Sequence, residues 1–203
     1  GLTGFIIGLV LTLQSRPTLI EFGAVSWMPN MVGISIVREI GPVITALICA
    51  GRIASGIGAE LGSMRVTEQI DAMEVSGTNP FKYLVVTRIL ATTLMLPLLV
   101  VFGDLIALYG SALVENIKGD VSFQLYFNTV FDALNWGDLI PATIKSFFFG
   151  FVIGLVGCCK GYNSTKGTAG VGIAANTAVV MASLFLFIVD FIAVFVTDIF
   201  YEL

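Results

Sequence analysis

The sequence contains no histidine, and that one absence removes several chemistries at once. An HExxH metalloprotease, a Ser-His-Asp triad, His-ligated haem and the common zinc sites all need imidazole. Charge is scarce as well: 12% of the 203 residues are Asp, Glu, Lys or Arg, against about a quarter in a soluble domain. Cysteine is limited to Cys49, Cys158 and Cys159. Each lies in or beside an apolar segment, where a small buried hydrophobe is expected rather than a redox or metal ligand. There is no basic excess, and a net charge of −4 argues against nucleic acid as a partner.

What remains is apolar, 57% of the chain. Runs of about 20 apolar residues match a hydrocarbon core about 30 Å thick. Strand-like alternation is missing, so the expected fold is an all-α, polytopic helical bundle rather than a β-barrel. Residues 2–13, too short to span alone, continue past Gln14 toward Phe22 and are expected to be the end of a first helix. Further runs cover residues 31–57, with Arg38, Glu39 and Arg52 inside; 89–114, with Asp104; 139–159, with Lys145; and 171–200, with Asp190 and Asp198. About five transmembrane helices in a single domain over residues 1–203 are expected. The opening at Gly1, inside an apolar run with no basic stretch before it, fits a processed or truncated N-terminus rather than a signal peptide.

The connection 65–88 carries Arg65, Lys82 and Arg88, and the segment after the fourth helix carries Lys160 and Lys166. These share one side of the membrane, while the other side has Arg16 and Lys118 among Glu115, Asp120, Asp132 and Asp138. The excess of cations places the 65–88 connection in the cytoplasm, with the C-terminus outside. Small residues recur every four positions at Gly4/Gly8, Gly51/Ser55/Ala59, Gly58/Gly62 and Gly150/Gly154. Such stripes let helix backbones meet, within one chain or between two. The halves of the chain show no repeat, which weakens an inverted-repeat carrier reading.

The 65–88 connection is the most informative stretch. Thr67 is placed to cap a short helix, Glu68 suits its positive end, and Gly77 with Asn79-Pro80 stops it. On that helix Val66, Ile70 and Met73 share one side, and Glu68, Asp71 and Glu74 form an acidic stripe on another. A helix resting on anionic lipid should be basic. An acidic one is better suited to a groove on a protein partner.

Arg38-Glu39-Ile40-Gly41-Pro42-Val43, Ala50-Gly51-Arg52, Ala59-Glu60-Leu61-Gly62, the run from Met64 to Glu74, Asn79-Pro80 and Arg88 together resemble the signature of the MlaE (YrbE-type) permeases. These are membrane subunits of ABC transporters that work with MCE proteins in lipid transport. The resemblance covers nearly the whole chain, except that family members begin with an amphipathic interfacial helix and a complete first span. It implies a permease homodimer in the inner (cytoplasmic) membrane, two cytoplasmic ATPase subunits, an MCE lipid-binding protein on the outer face and a phospholipid substrate. No cofactor is implied for the chain itself, since ATP and magnesium sit on the partner ATPase. In the family, residues corresponding to 67–75 form the coupling helix, so Thr67, Glu68, Ile70, Asp71, Met73 and Glu74 are the expected ATPase-coupling residues.

Arg38 and Glu39 stand among apolar residues. Ionisable groups at that depth cost about 2.5–3.5 kcal/mol each on insertion scales and are functional candidates by default. A local pair at a helix break near Gly41-Pro42 is the structural alternative; the family resemblance places the two beside a lipid cavity. Leu11, Gln14 and Thr18 share one face of the first helix and suit either the rim of that cavity or a helix-to-helix hydrogen bond. Arg52 and Glu60 are expected to hold the cytoplasmic end of the second helix. Asp104 and Asp190 are buried charges that admit other functions: ion-coupled secondary transport, or an intramembrane aspartyl protease, whose two carboxylates share a proton. Phe102-Gly103-Asp104 lacks the first glycine of the protease's Gly-x-Gly-Asp pattern. Residues 161–168 resemble a phosphate-binding loop, but Lys166 and Gly167 are in reversed order and no strand precedes them. A transport subunit without its own ATPase site is therefore expected.

Overall fold

A computed structural model of the chain describes every residue except Asp120, Lys166 and Leu203, and omits the side chains of Phe200, Tyr201 and Glu202. Asp120 and Lys166, both counted in the charge balance above, lie outside the described residues. In chain order the helices are α1 Leu2–Glu21, α2 Val25–Val66, α3 Gln69–Val75, α4 Phe81–Gly119, α5 Phe123–Ala133, α6 Trp136–Tyr162 and α7 Thr168–Glu202. Five of them, all but α3 and α5, are long and apolar enough to cross a membrane. No strand occurs among the described residues. The chain is a multi-pass, all-α membrane protein.

The helices outrun the apolar stretches that announce them. A helix satisfies its own backbone, so polar residues at either end of a run extend it into longer rods. The helix break near Gly41-Pro42, invoked only in the structural alternative for Arg38 and Glu39, does not occur. Residues Ile36–Ile40 form a widened π turn, in which the Gly41 N–H bonds the Ile36 carbonyl five residues back. Pro42 has no N–H to give, and in a regular helix its ring would press on the carbonyl four residues earlier. The widened turn just ahead of it lets α2 continue. A second π turn, Ala50–Ala54, contains Arg52, and a third, Phe81–Val86, opens α4.

Glycine ends α1 and α3 in the same way. Gly23 (φ +66°) and Gly77 (φ +78°) take the left-handed conformation that a Cβ disfavours. Gly77 N–H bonds the Glu74 carbonyl and Thr78 N–H reaches back to Met73, just as Gly23 bonds Ile20 and Ala24 bonds Leu19. These paired bonds satisfy carbonyls that the helix end would otherwise leave open.

The chain divides into two compact units, Gly1–Thr45 with Leu98–Ile144, and Ala46–Pro97 with Lys145–Leu203. In the first, Met28, Val32 and Ile36 of α2 pack with Leu108 and Ala112 of α4 and with Tyr126 and Val130 of α5. Backbones of α1 and α4 touch here: a Cβ on Gly4 would stand 2.7 Å from the Gly103 carbonyl oxygen, and one on Gly8 would overlap the Ala107 carbonyl. In the second unit Ile57 and Leu61 of α2, Ile70 of α3, Leu84 and Val85 of α4 and Cys158 of α6 form one cluster. Gly58 faces Ala174, Ala175 and Ala178 of α7, and Gly150 faces the Thr92 backbone. Three of the four small-residue stripes are therefore packing surfaces inside this chain. Gly51 has open space around it. Cys158 is a buried hydrophobe as expected; Cys49 is half-buried, and Cys159 is exposed.

Candidate functional site

The α2–α3–α4 connection is built by local bonds that differ from the sequence expectation in one respect. Thr67 does not cap α3. Its hydroxyl donates back to the Ser63 carbonyl at 2.9 Å, closing α2. Glu68 occupies the N-cap position instead, with φ of +58°, the one left-handed residue other than glycine among the described residues. This sharp turn separates α3 from α2 and brings Ile70 into the cluster with Ile57 and Leu61. Arg65 then reaches Asp71 at 2.6 Å, which sets the rotation of the short helix. Asn79 starts the next helix as well as ending this one, its side-chain oxygen accepting the Lys82 N–H at 3.1 Å.

The six residues expected at this site divide by exposure. Ile70 is fully buried in the second unit's core, and Met73 packs partly against it; these two hold α3 in place. Thr67, Glu68, Asp71 and Glu74 are exposed. Asp71 is neutralised by Arg65, whereas Glu68 and Glu74 have no ion-pair partner among the described residues. Val75, at the tip of α3, is 90% exposed, an apolar side chain with nothing of its own chain over it. The site thus offers two free carboxylates and one apolar knob on a helix anchored from behind.

Arg88, in sequence a cation of the connection and one of the residues that carry the family resemblance, has a defined place. One of its guanidinium nitrogens donates to the Leu84 carbonyl at 2.9 Å and the other to Glu60 at 2.7 Å. It ties α4 to α2 directly beside the connection. Glu60 is thereby accounted for, while Arg52 stands exposed in its π turn.

Within the first unit, Arg38 and Glu39 both lie in the π turn Ile36–Ile40 and are half-buried. Arg38 pairs with Asp138 across 3.8 Å. Asp138 also accepts the Asn135 N–H, which fixes it at the start of α6. Leu11 packs partly on the apolar cluster beside them, but Gln14 and Thr18 are on the exposed face of α1. The buried polar residue of α1 is Thr12. Its hydroxyl donates to the Gly8 carbonyl at 2.8 Å and lies 2.6 Å from Ser111, whose oxygen accepts the Tyr126 hydroxyl at 2.6 Å. Because Thr12 spends its only proton on Gly8, Ser111 must donate to Thr12. Tyr126 to Ser111 to Thr12 to Gly8 is then one directed chain with every proton used. Below it Arg16 bonds Glu115 at 2.6 Å and the Lys118 carbonyl at 2.6 Å.

Asp104 lies against the Gly41 backbone, where a Cβ would have no room, and its Oδ1 finds no hydrogen-bond donor among the described residues. Asp190 is held 2.9 Å from Lys145, which itself sits 5.9 Å from the Phe149 ring centre. A carboxylate bound to an ammonium is not half of a proton-sharing dyad, so the arrangement disfavours the protease alternative. The Lys145–Asp190 match has a signal in sequence: the only charge inside the fourth apolar run is basic and the one in the middle of the fifth is acidic, and such groups pair when buried.

Compared with known proteins, residues 1–196 match the family Permease MlaE. A probable ABC transporter permease protein of Rickettsia prowazekii is 40% identical over 99% of this chain and 76% of its own length. A protein of the same description from Synechocystis is 36% identical over 94% of this chain and 72% of its own. The chloroplastic protein TRIGALACTOSYLDIACYLGLYCEROL 1 of Arabidopsis thaliana is 34% identical, covering 94% of this chain and 55% of its own length. With the five spans and the α3 connection in place, this likeness over nearly the whole chain settles the assignment: the chain belongs to the MlaE permease family and is an ABC transporter permease.

Proposed function

We propose that the protein is the membrane subunit through which an ABC transporter moves phospholipid, or a related lipid, between the inner membrane and an MCE-type carrier on the outer face. It works as a homodimer with two cytoplasmic ATPase subunits, which hold the ATP and magnesium, and it carries no ATPase site of its own. The observation that supports this reading best is α3. A helix of seven residues, fastened from behind by Ile70 and presenting Glu68, Glu74 and Val75, suits a shallow groove with basic walls on a soluble partner. The cation excess on the same side supports a cytoplasmic position for that partner.

The lipid substrate is supported by the family and by the Arabidopsis relative, whose name is that of a galactolipid. The chemistry of the first unit is compatible with it. Acyl chains need an apolar wall, such as Leu11 offers, and a headgroup needs a charged rim. Arg38 keeps 42% of its side chain exposed while paired to Asp138, so its guanidinium can face an anionic group without leaving a bare carboxylate behind. Closure of the ATPases on ATP would push α3 and change the affinity of the cavity for lipid. Only such differential binding can couple the two events.

The test is to replace Glu68 and Glu74 together by lysine. Asp71 is left intact, because it is bound to Arg65 and its loss would disturb α3 itself. The ATPase should no longer co-purify, while the permease keeps its thermal unfolding profile. Retention of the ATPase by the doubly substituted permease would refute the assignment of α3.

A further inference from the structure

We propose that Arg88 and Glu60 form a strut that makes α2 and α4 move as one when α3 is pushed; this rests on the reading of α3 as the ATPase contact. A short helix strung between two long ones could displace either alone. Two features of the second unit connect it to both. Ile70 of α3 is buried among Ile57 and Leu61 of α2 and among Leu84 and Val85 of α4, so a push on α3 reaches both rods through one apolar cluster. Arg65 of α2 reaches Asp71 of α3, a further link between the short helix and the first of the two rods.

Arg88 supplies the tie between the rods. Its fork donates one N–H to the carbonyl of Leu84, inside the π turn that opens α4, and the other to the carboxylate of Glu60 on α2. A planar guanidinium holds its two donors at a fixed angle, so a displacement of Glu60 is passed to the Leu84 backbone. Arg88 is 20% exposed on its side chain and also bonds the backbone, so it contributes to packing, but its carboxylate partner is the solvated half of the pair. Glu60 is 59% exposed on its side chain, and exposed ion pairs add little to stability. Its geometry is that of a brace across the two helices that flank the contact.

The experiment uses the permease purified with its bound ATPase, reconstituted in vesicles of phosphatidylethanolamine and phosphatidylglycerol containing fluorescently labelled phosphatidylethanolamine. The readout is labelled lipid moved per ATP hydrolysed. Glu60→Gln and Arg88→Gln should each keep the ATPase bound and lower that ratio at least fivefold. Because the two act through one contact, the double variant should be no worse than the poorer single one. Arg88→Lys, which keeps the charge but not the fork, should be as impaired as Arg88→Gln. A normal ratio for Glu60→Gln, or losses that multiply in the double variant, would overturn the strut. Should Arg88→Gln fail to assemble, Glu60→Gln decides alone, since its side chain is mostly in solvent. A wild-type complex that carries no ATPase overturns the reading of α3, and the strut with it.

Discussion

Replacing Arg16 by methionine isolates a carboxylate that the fold has almost wholly withdrawn from water. Glu115 is 1% exposed on its side chain, its partner Arg16 only 15%, and their contact is 2.6 Å. The second carboxylate oxygen of Glu115 has no hydrogen-bond partner among the described residues and packs toward Gly119. The arginine is thus the main compensation for a buried charge, and it also satisfies the Lys118 carbonyl near the end of α4. Removing one partner of such a pair costs about 3–5 kcal/mol, whereas replacing both by apolar groups is often neutral. For a chain of this size that corresponds to roughly 6–20 °C in unfolding temperature. Thermal unfolding of the purified protein in one detergent should therefore show a large loss for Arg16→Met, a smaller one for Glu115→Gln, and recovery of most of it in Arg16→Met/Glu115→Leu. If the single and double variants fall by the same few degrees, the carboxylate is solvated and the reasoning fails.

Other consequences can be checked on the same preparation. Ser111→Ala interrupts the chain from Tyr126 to Thr12 and leaves a buried phenol without its acceptor, so it should cost about 1–3 kcal/mol, with Ser111→Thr milder in the same unfolding assay. Gly8→Ala should be severely destabilising because its Cβ would overlap the Ala107 carbonyl, while Gly51→Ala, in open space, should be neutral or raise the unfolding temperature. Burial pushes the Tyr126 phenol up to about 12, with the Glu115 charge adding. Since the folded value lies above the ordinary 10, the phenol's contribution is intact below pH 10 and is lost as pH rises toward 12. Tyr126→Phe should abolish that part of the alkaline decline, and an unchanged alkaline profile would contradict it.

Features governed by near neighbours along the chain are legible in the residues themselves. Gly77-Thr78-Asn79-Pro80 announces the end of α3 because a left-handed glycine and a proline act within one turn. Five spans follow from run length, since the hydrocarbon thickness sets it. What requires the fold is the choice among locally equivalent options. Thr67 could cap forward or bond backward, and Glu68 taking the left-handed turn, held by Arg65 on Asp71, decides for the latter. On α1 the amide of Gln14 is the conspicuous polar group in sequence, yet Thr12 is the buried one. Its burial comes from the close approach of Gly8 to Ala107, about a hundred positions away. The π turns have no sequence signal beyond Pro42. Arg88 belongs to the family resemblance, but its tie between α2 and α4 is not readable there because its partner, Glu60, lies 28 residues earlier.

An ATPase seated on α3 and a lipid cargo are the two proposed properties of this permease on which the rest depends. Native mass spectrometry of the complex released gently from membranes addresses both parts together. Two copies of this chain with two ATPase subunits and a bound phospholipid are predicted, and the ATPases should be missing when Glu68 and Glu74 are lysine. A wild-type chain that flies without an ATPase, or an intact complex that never retains lipid, would contradict the account.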